Sequence, residues 1–252
     1  MGLDKPFFVQ YGLYLTNAIQ GNFGTSYIYG QQAFSVVLER LPATLKLALS
    51  SVAFATIVSI PLGVISATRR NTLIDNAITT ISVIGKAMPN FWIGIMLILL
   101  FSVTLNILPV SGSETLSHFV LPTVTLGIGI AMEMIRFIRS SMIETLNQDY
   151  IRTAESKGLR NSVVVYRHAF RNSLVPVITI LALQTSTLIG GALIVETIFS
   201  WPGLGQLLIQ AVNYRDMAVV QACVFVIAIL VIVINLLADI LYRKLNPQID
   251  YK

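Results

Sequence analysis

The sequence has little charge. Asp, Glu, Lys and Arg make up 12% of its 252 residues, about half of the roughly 25% that is usual for soluble domains. Because so few charges cannot cover a water-exposed surface, the composition excludes an ordinary soluble enzyme and a disordered segment. It also excludes a nucleic-acid-binding protein, although the isoelectric point is about 9.4. The mean hydropathy of +0.75 indicates an integral membrane protein.

Cysteine is nearly absent, and so is any nucleotide-binding motif. Cys223 is the single cysteine, which excludes an intrachain disulfide and a cysteine-based metal cluster. The chain also lacks a Gly-x-x-x-x-Gly-Lys-Ser/Thr run to cradle phosphates. We therefore expect no ATPase site, no catalytic residues and no metal or cofactor bound by this chain.

Long apolar runs are what the sequence does contain. Five stretches reach the roughly 20 residues that a helix needs to cross the hydrocarbon layer. Open strands would leave backbone groups unsatisfied in lipid, and the runs lack the alternation of barrel strands. The predicted fold is an all-α polytopic membrane helix bundle with five transmembrane helices, at about 45–68, 77–106, 119–138, 174–198 and 217–241.

Basic residues are distributed unevenly around these spans. Most of the 17 Lys and Arg residues lie in the loop after the first span, in the segment 139–173 and in the C-terminal tail. Because Lys and Arg concentrate in cytoplasmic loops, we expect 139–173 and the C-terminus in the cytoplasm and residue 1 outside. The two histidines, His118 and His168, then lie on opposite sides, which excludes a joint metal site or catalytic dyad.

Residues 1–44 are predicted to be an external segment that contains short amphipathic helices. Its apolar residues between Tyr11 and Ile19 recur at helical spacings of three and four. The segment has no signal-peptide pattern, yet it must reach the outside. We favour a preceding span that is missing from this chain over a segment that rests in the membrane interface.

The cytoplasmic segment 139–173 is long for a bundle connection and is patterned. Ile143, Leu146, Tyr150 and Ala154 predict a helix with an apolar stripe, which Gly158 ends. Asn161 or Ser162 can cap a second helix that runs towards residue 172. Periodicity alone leaves two interpretations open: a basic loop on anionic lipid, or a docking element for a cytoplasmic partner.

The same segment resembles a known motif. Residues 149–159 (DYIRTAESKGL) and 167–176 (RHAFRNSLVP) are similar to the EAA loop of ABC importer permeases of the dipeptide, oligopeptide and nickel uptake family. Arg152 and Thr153 stand where the general motif has Glu and Ala. Further landmarks of the family match in order along nearly the whole chain, at 39–45 (ERLPATL), 89–94 (PNFWIG), 108–112 (LPVSG) and 196–205 (ETIFSWPGLG).

The resemblance implies a permease subunit of a binding-protein-dependent importer in the plasma membrane. Two related permeases would pair into a pore, two cytoplasmic ATPases would bind ATP and Mg²⁺ beneath them, and an external binding protein would deliver the substrate. Members of the family carry one more N-terminal span, in agreement with the topology above. The implied coupling residues are Tyr150, Arg152, Thr153, Ala154, Lys157, Gly158, Leu159, His168, Arg171 and Asn172.

A second group of residues is a candidate for the pore or a gate: Lys86, Pro89, Glu133, Glu196, Trp201, Pro202 and Gly203. Ionisable groups inside a span are costly and often functional. Lys86 either reaches the interface with its long side chain or lines the path. Glu133 either pairs with Arg136 on one helical face or lines the path. Glu196 either shapes an external gate or caps backbone donors between 201 and 205.

The leading hypothesis is therefore a permease for dipeptides or oligopeptides. A permease for nickel or a metal chelate is the alternative within the family, and residues 22–27 weakly resemble metal-type members. An ATPase-independent secondary transporter or channel would need acidic residues at midspan, which this sequence lacks. A membrane scaffold without transport would need neither an ATPase nor a second permease.

Overall fold

The computed structural model describes residues 6–245, and these are almost entirely helical. Their one β-type feature is an isolated antiparallel bridge between Thr25 and Gln32, so the predicted all-α fold is confirmed. The helices are α1 (Phe7–Ile19), α2 (Ala33–Thr68), α3 (Leu73–Ala87), α4 (Asn90–Leu97), α5 (Leu116–Leu146), α6 (Asp149–Ser156), α7 (Asn161–Val163), α8 (Arg171–Ile198), α9 (Leu204–Asn213) and α10 (Met217–Leu245). Two π-helical segments, Ile98–Thr104 and Val164–Phe170, continue α4 and join α7 to α8.

Several of these helices are long and apolar enough to cross a membrane. Among the described residues, α2, α5 and the Met217–Ile240 part of α10 qualify singly by length and hydropathy, and Leu73–Ala87 with Asn90–Thr104 qualify only as a pair. Helix α8 has 28 residues and contains the fourth predicted span. The count of five spans stays a prediction.

The second predicted span is not one straight helix. Helix α3 ends at Ala87, and the next helix leaves at an angle of 104°. Met88 between them is extended, with ψ 133°. The cause is Pro89, which has no N–H to donate and disfavours helical conformation in the residue before it. The expected single helix over 77–106 is thus broken at Met88 and Pro89.

The main core lies where α2, α5 and α8 meet. Buried apolar side chains such as Leu47, Leu126 and Ile138 are at most 1% exposed. Two glycines let α2 and α5 approach closely: a Cβ at Gly63 would lie 2.6 Å from the Ile138 Cβ, and one at Gly127 would lie 2.7 Å from the backbone oxygen of Ser51. Small residues serve the same purpose in many membrane bundles.

The residues before and at the start of α2 form a second core with α9 and α10. Helix α1 and the following loop pack against α9 and α10, and Phe23 is only 5% exposed. Ser26 donates a 2.5 Å hydrogen bond to Asp216, which precedes α10. The first long helix begins at Ala33 rather than near residue 45, and its 36 residues span about 54 Å. It therefore extends well beyond a hydrocarbon layer of roughly 30 Å.

The segment 139–173 differs in two ways from the predicted helix pair. The apolar stripe that starts at Ile143 is divided between the end of α5 and the separate helix α6, with a break at Asn147 and Gln148. The second helix is not a separate element, because it continues through π-helical turns into α8. Gly158 lies between the two parts with φ +74°, a conformation that glycine adopts at low cost.

Candidate functional site

The candidate coupling segment has one buried side and one exposed side. Ile151 and Ala154 of α6 are 1% and 7% exposed, and they pack with Val164 and Ala169 against the C-terminal part of α5. Ala154, predicted as a coupling residue, thus faces the bundle, and His168 is half-buried. The other predicted coupling residues are exposed: Tyr150, Arg152, Thr153, Lys157, Gly158, Leu159, Arg171 and Asn172.

Hydrogen bonds hold this segment to the long helices on either side. Asn172 Nδ2 donates to the Tyr150 hydroxyl at 2.9 Å and so joins α8 to α6. Ser141 Oγ of α5 donates to the backbone oxygen of Ser173 at 3.1 Å. The tip around Gly158 is therefore presented on a base that is fixed to α5 and α8.

A buried ion pair lies at the same end of the bundle, and no sequence pattern predicted it. Arg139 of α5 forms two hydrogen bonds to Asp75 of α3, Nε to Oδ1 at 2.6 Å and Nη2 to Oδ2 at 2.7 Å. Ser66 Oγ and the Asn71 backbone N–H also donate to Asp75, at 2.5 and 2.9 Å. Asp75 is 1% exposed, so this cluster, the Asp75 pair, ties α2, α3 and α5 together.

A second ion pair joins α3 to α5 within the apolar part of the bundle. Lys86 Nζ lies 2.5 Å from Glu133 Oε2, and the two side chains are 42% and 19% exposed. The sequence left two roles open for Glu133, a pair with Arg136 on its own helix or a place along the path. The pair with Arg136 is wrong, because the packing of α3 against α5 brings Lys86 to the carboxylate instead.

The Lys86–Glu133 pair borders a small cleft at the break after α3. Beyond Lys86, the cleft is lined by Asn90, Leu126, Gly129, Ile130, Gln184, Leu188 and Gly191. Asn90, the first residue of α4, points between α5 and α8. A Cβ at Gly129 would lie 3.3 Å from Asn90 Oδ1, and one at Gly191 would lie 3.6 Å from Asn90 Nδ2. Pro89 is exposed at the outside of the bend.

The remaining candidates form a buried joint at the opposite end. Glu196 is fully buried and accepts hydrogen bonds from Thr44 Oγ1 at 2.6 Å and from the Gly205 backbone N–H at 2.7 Å. Thr44 Oγ1 in turn accepts from the Leu204 N–H at 2.8 Å. A Cβ at Gly203 would overlap the Glu196 carboxylate. Glu196 therefore caps the start of α9, which is the second of the two roles that the sequence left open.

Trp201 completes this joint. Its indole Nε1 donates to the backbone oxygen of Ala43 at 3.0 Å, and its ring packs edge-on against Phe119 at 4.3 Å between centroids. Trp201 is 1% exposed, and Pro202 beside it is half-buried. The joint thus fixes the α8–α9 turn against α2 and α5.

The structure separates the predicted site residues into three places. The coupling residues and the Asp75 pair occupy one end of the bundle, Lys86, Pro89 and Glu133 lie around the break, and Glu196, Trp201, Pro202 and Gly203 form the joint at the other end. The two histidines are also apart. His118 accepts from the Thr115 N–H at 3.2 Å at the start of α5, whereas His168 lies in the coupling segment.

Comparison with known sequences places this architecture among transport proteins. Residues 59–251 match the family described as "Binding-protein-dependent transport system inner membrane component". The oligopeptide transport system permease protein AppB of Bacillus subtilis is 44% identical over 261 residues, which cover 99% of this chain and 83% of that protein. The glutathione transport system permease protein GsiC of Pectobacterium atrosepticum is 43% identical over 252 residues, which cover 100% and 82%.

Solved structures agree with the fold. The MetNI methionine ABC transporter in its inward-facing conformation matches with a TM-score of 0.68 and 20% identity, over 84% of this chain and 96% of that one. An amino acid ABC transporter with histidines matches with a TM-score of 0.63 and 15% identity, over 83% and 94%. At such low identity the likeness supports the fold alone.

Proposed function

Because the chain belongs to the family of binding-protein-dependent transport system inner membrane components, a family of permease subunits rather than enzymes, we propose that it forms half of the membrane path of an ATP-driven importer for short peptides. A second, homologous permease forms the other half. Two cytoplasmic ATPase subunits supply the motion, and an external binding protein delivers the peptide.

Peptides are supported as substrates by the relatives. Permeases named for oligopeptides and for glutathione are 44% and 43% identical to nearly the whole chain. Both cargoes are peptides with at least one ammonium and one carboxylate group. This favours a peptide over the nickel complex that the sequence left as the alternative.

The two-sided coupling segment is the observation that carries the coupling role. Its apolar side is buried against α5, while Tyr150 and Leu159 remain 42% and 41% exposed beside charged groups. An exposed, polar and aromatic tip on a fixed base is suited to a groove in a partner protein. We assign that groove to an ATPase subunit, which binds the ATP and Mg²⁺.

The proposed orientation follows the charges. Arginines of the coupling segment, Arg152, Arg160, Arg167 and Arg171, are all exposed at one end of the bundle, as is typical of a cytoplasmic face. Residue 1 and the Glu196 joint then lie on the external side. Lys86 and Glu133 line the path between these ends, and Pro89 makes the break beside them. Glu196, Trp201, Pro202 and Gly203 hold the α8–α9 turn in place at the outer end of the path.

Gly158→Pro tests the coupling role. Proline cannot adopt φ +74° and cannot donate the Gly158 N–H to Glu155, now 2.9 Å long. We expect loss of ATPase co-purification and of ATP-dependent peptide uptake. Gly30→Pro is the matched control, since Gly30 has φ +65°, donates a 3.0 Å bond to Ser26 and, like Gly158, has no atom within 4 Å of an added Cβ.

Leu159→Glu tests the same contact without a change in the backbone. A charge at an exposed tip leucine leaves the fold intact but opposes burial in the ATPase groove. The same substitution at Leu116, which is 86% exposed at the other end, should leave ATPase association unchanged. If Leu159→Glu and Gly158→Pro both retain the ATPase and transport peptide normally, the coupling role is wrong.

A further inference from the structure

The geometry points to a substrate contact at the break between α3 and α4: we propose that Lys86 and Glu133 hold the two charged ends of a peptide as it passes through the bundle. The proposal rests on the proposed function, since it assigns a contact site to the same path. Lys86 binds the peptide carboxylate, and Glu133 binds the peptide ammonium group.

The position of the cleft supports this assignment. The break at Met88 and Pro89 falls near the middle of the predicted span 77–106, and Gly129 lies near the middle of the predicted span 119–138. The cleft is therefore close to the midplane of the bilayer. Substrate sites of membrane transporters are often at this depth and are built around interrupted helices.

The lining of the cleft is polar where lipid would require apolar groups. Asn90 and Gln184 contribute amides, and Lys86 contributes an ammonium group. Gly129 and Gly191 leave room in the cleft, because a Cβ at Gly129 would crowd Asn90 Oδ1 at 3.3 Å and one at Gly191 would crowd Leu126 at 3.3 Å. A partly polar cleft of this kind between α3, α4, α5 and α8 matches the amides and charges of a peptide.

The exposure of the ion pair indicates that it faces an aqueous path. The Lys86 side chain is 42% exposed and that of Glu133 is 19% exposed. An ammonium group that is so exposed at midspan is strongly disfavoured against lipid and favoured beside water. Among the side chains that the structure describes, the ion pair with Glu133 is the contact given for the Lys86 ammonium group, and an ammonium group has three N–H donors, so it can bind a ligand as well.

Charge balance explains why a pair serves here rather than a single charge. The two groups compensate each other's charge, so that neither charge is left unpaired between the helices. A peptide with free termini and uncharged side chains is also neutral overall and carries one charge of each sign. Exchange of the internal pair for two protein–peptide pairs therefore keeps every charge compensated.

The test compares free and blocked peptides in the whole importer. The permease pair, the ATPases and the binding protein are reconstituted in proteoliposomes, and uptake is measured for trialanine, its N-acetyl form and its C-terminal amide, each at saturation of the binding protein. Lys86→Gln should lower uptake of trialanine about tenfold, as expected for the loss of one charge-assisted bond, and should barely change uptake of the amide. Glu133→Gln should lower uptake of trialanine by a similar factor, through loss of the contact with its ammonium group. It should barely change uptake of the N-acetyl form, which lacks that group.

One result would overturn the inference, and a different one would overturn the proposed function. Equal losses for all three peptides in both variants would mean that the pair only joins α3 to α5. The absence of any ATP-dependent peptide uptake by the unmodified importer would instead overturn the proposed function, so the two failures can be told apart.

A second measurement does not depend on delivery by the binding protein. Cys223, the single cysteine, is buried, so Cys223→Ser gives a cysteine-free background for Asn90→Cys. Trialanine should protect Cys at position 90 from a methanethiosulfonate reagent in the assembled importer. The control is Ile81→Cys, since Ile81 is 60% exposed on α3 outside the cleft, and it should not be protected. Modification of position 90 at the same rate with and without peptide would contradict the site.

Discussion

Two ion pairs join α3 to α5, and they differ in almost every physical respect. Arg139 binds Asp75 through two bonds, and the carboxylate is 1% exposed and also accepts from Ser66 and Asn71. Lys86 binds Glu133 through one short contact, with side chains 42% and 19% exposed. Donors occupy both oxygens of the Asp75 carboxylate. Lys86 and Glu133, which make one contact with each other, can form further hydrogen bonds.

The comparison indicates that burial distinguishes an ion pair that stabilises the fold from one that can bind a substrate. A buried carboxylate with several donors is difficult to disrupt, because removal of one partner leaves charge and donors unpaired. A half-exposed pair contributes little to stability and can exchange partners at low cost. The Asp75 pair therefore fixes α2, α3 and α5 to one another near the coupling segment, while the Lys86–Glu133 pair can exchange partners with a substrate.

The largest expected effect comes from Asp75→Asn. The amide would place a donor group against the donors of Ser66, Asn71 and Arg139, and Arg139 would lose its ionic partner. We expect the free energy of unfolding to fall by about 3 kcal/mol, measured as a lower melting temperature of the purified assembly. Asp149→Asn is the control, since that side chain is 99% exposed with a weak contact to Arg152. A melting temperature unchanged by Asp75→Asn would contradict the structural role.

Charge exchange should separate the two pairs most clearly. Asp75→Arg with Arg139→Asp should stay destabilised, because Ser66 and Asn71 would then donate towards a cation. Lys86→Glu with Glu133→Lys should keep near-normal stability, since no further donor fixes the polarity of that pair among the described residues. Double-mutant cycles on melting temperature measure both couplings. If charge exchange restored stability at both pairs, or at neither, the two pairs would not differ in the way described.

Ser66→Ala should have an intermediate effect. It removes one hydrogen bond of 2.5 Å to the Asp75 carboxylate, and we expect a loss of about 1 kcal/mol. Ser82→Ala is a matched control, because Ser82 is equally buried but donates only to the Ile78 carbonyl of its own helix, at 2.7 Å. Thermal unfolding of the two variants side by side checks the prediction, and equal losses would argue against a special role for Ser66.

Lys86→Gln should have the smallest effect on stability. The partly exposed pair is expected to contribute less than about 1 kcal/mol, and glutamine keeps most of the side-chain packing. The same variant should nevertheless change transport selectivity, as proposed above. A loss of stability as large as that of Asp75→Asn would show that the two pairs are alike.

The sequence was sufficient for the all-α fold, because long apolar runs predict helices through their length and hydropathy. It also contained a signal for the break that was not used. A proline lies inside the 30-residue apolar stretch 77–106, and Pro89 disfavours a helical Met88. Hydropathy did not predict that α2 begins at Ala33, because the first turns of α2 are fixed by packing against α9 and α10.

Local sequence patterns could not predict the partners in the two ion pairs. Glu133 and Arg136 have ideal helical spacing, but tertiary packing brings Lys86 to Glu133 instead. One clue was available, since two opposite charges in neighbouring spans are each costly alone and stabilise each other as a pair. Asp75 and Arg139 are far apart in sequence and carry no comparable signal, because both lie near interfaces where single charges are common.

The uninterrupted run from the coupling segment into α8 has a mechanical consequence. Helix α8 alone has 28 residues, a rod of about 42 Å, and its upper part borders the cleft through Leu188 and Gly191. A tilt of about 10° at the foot of such a rod displaces its far end by about 7 Å. At the cleft, about 25–30 Å along the rod, the same tilt gives a displacement of about 5 Å. A small movement of the coupling segment, acting as proposed, would therefore become a movement of several ångströms beside the proposed peptide path.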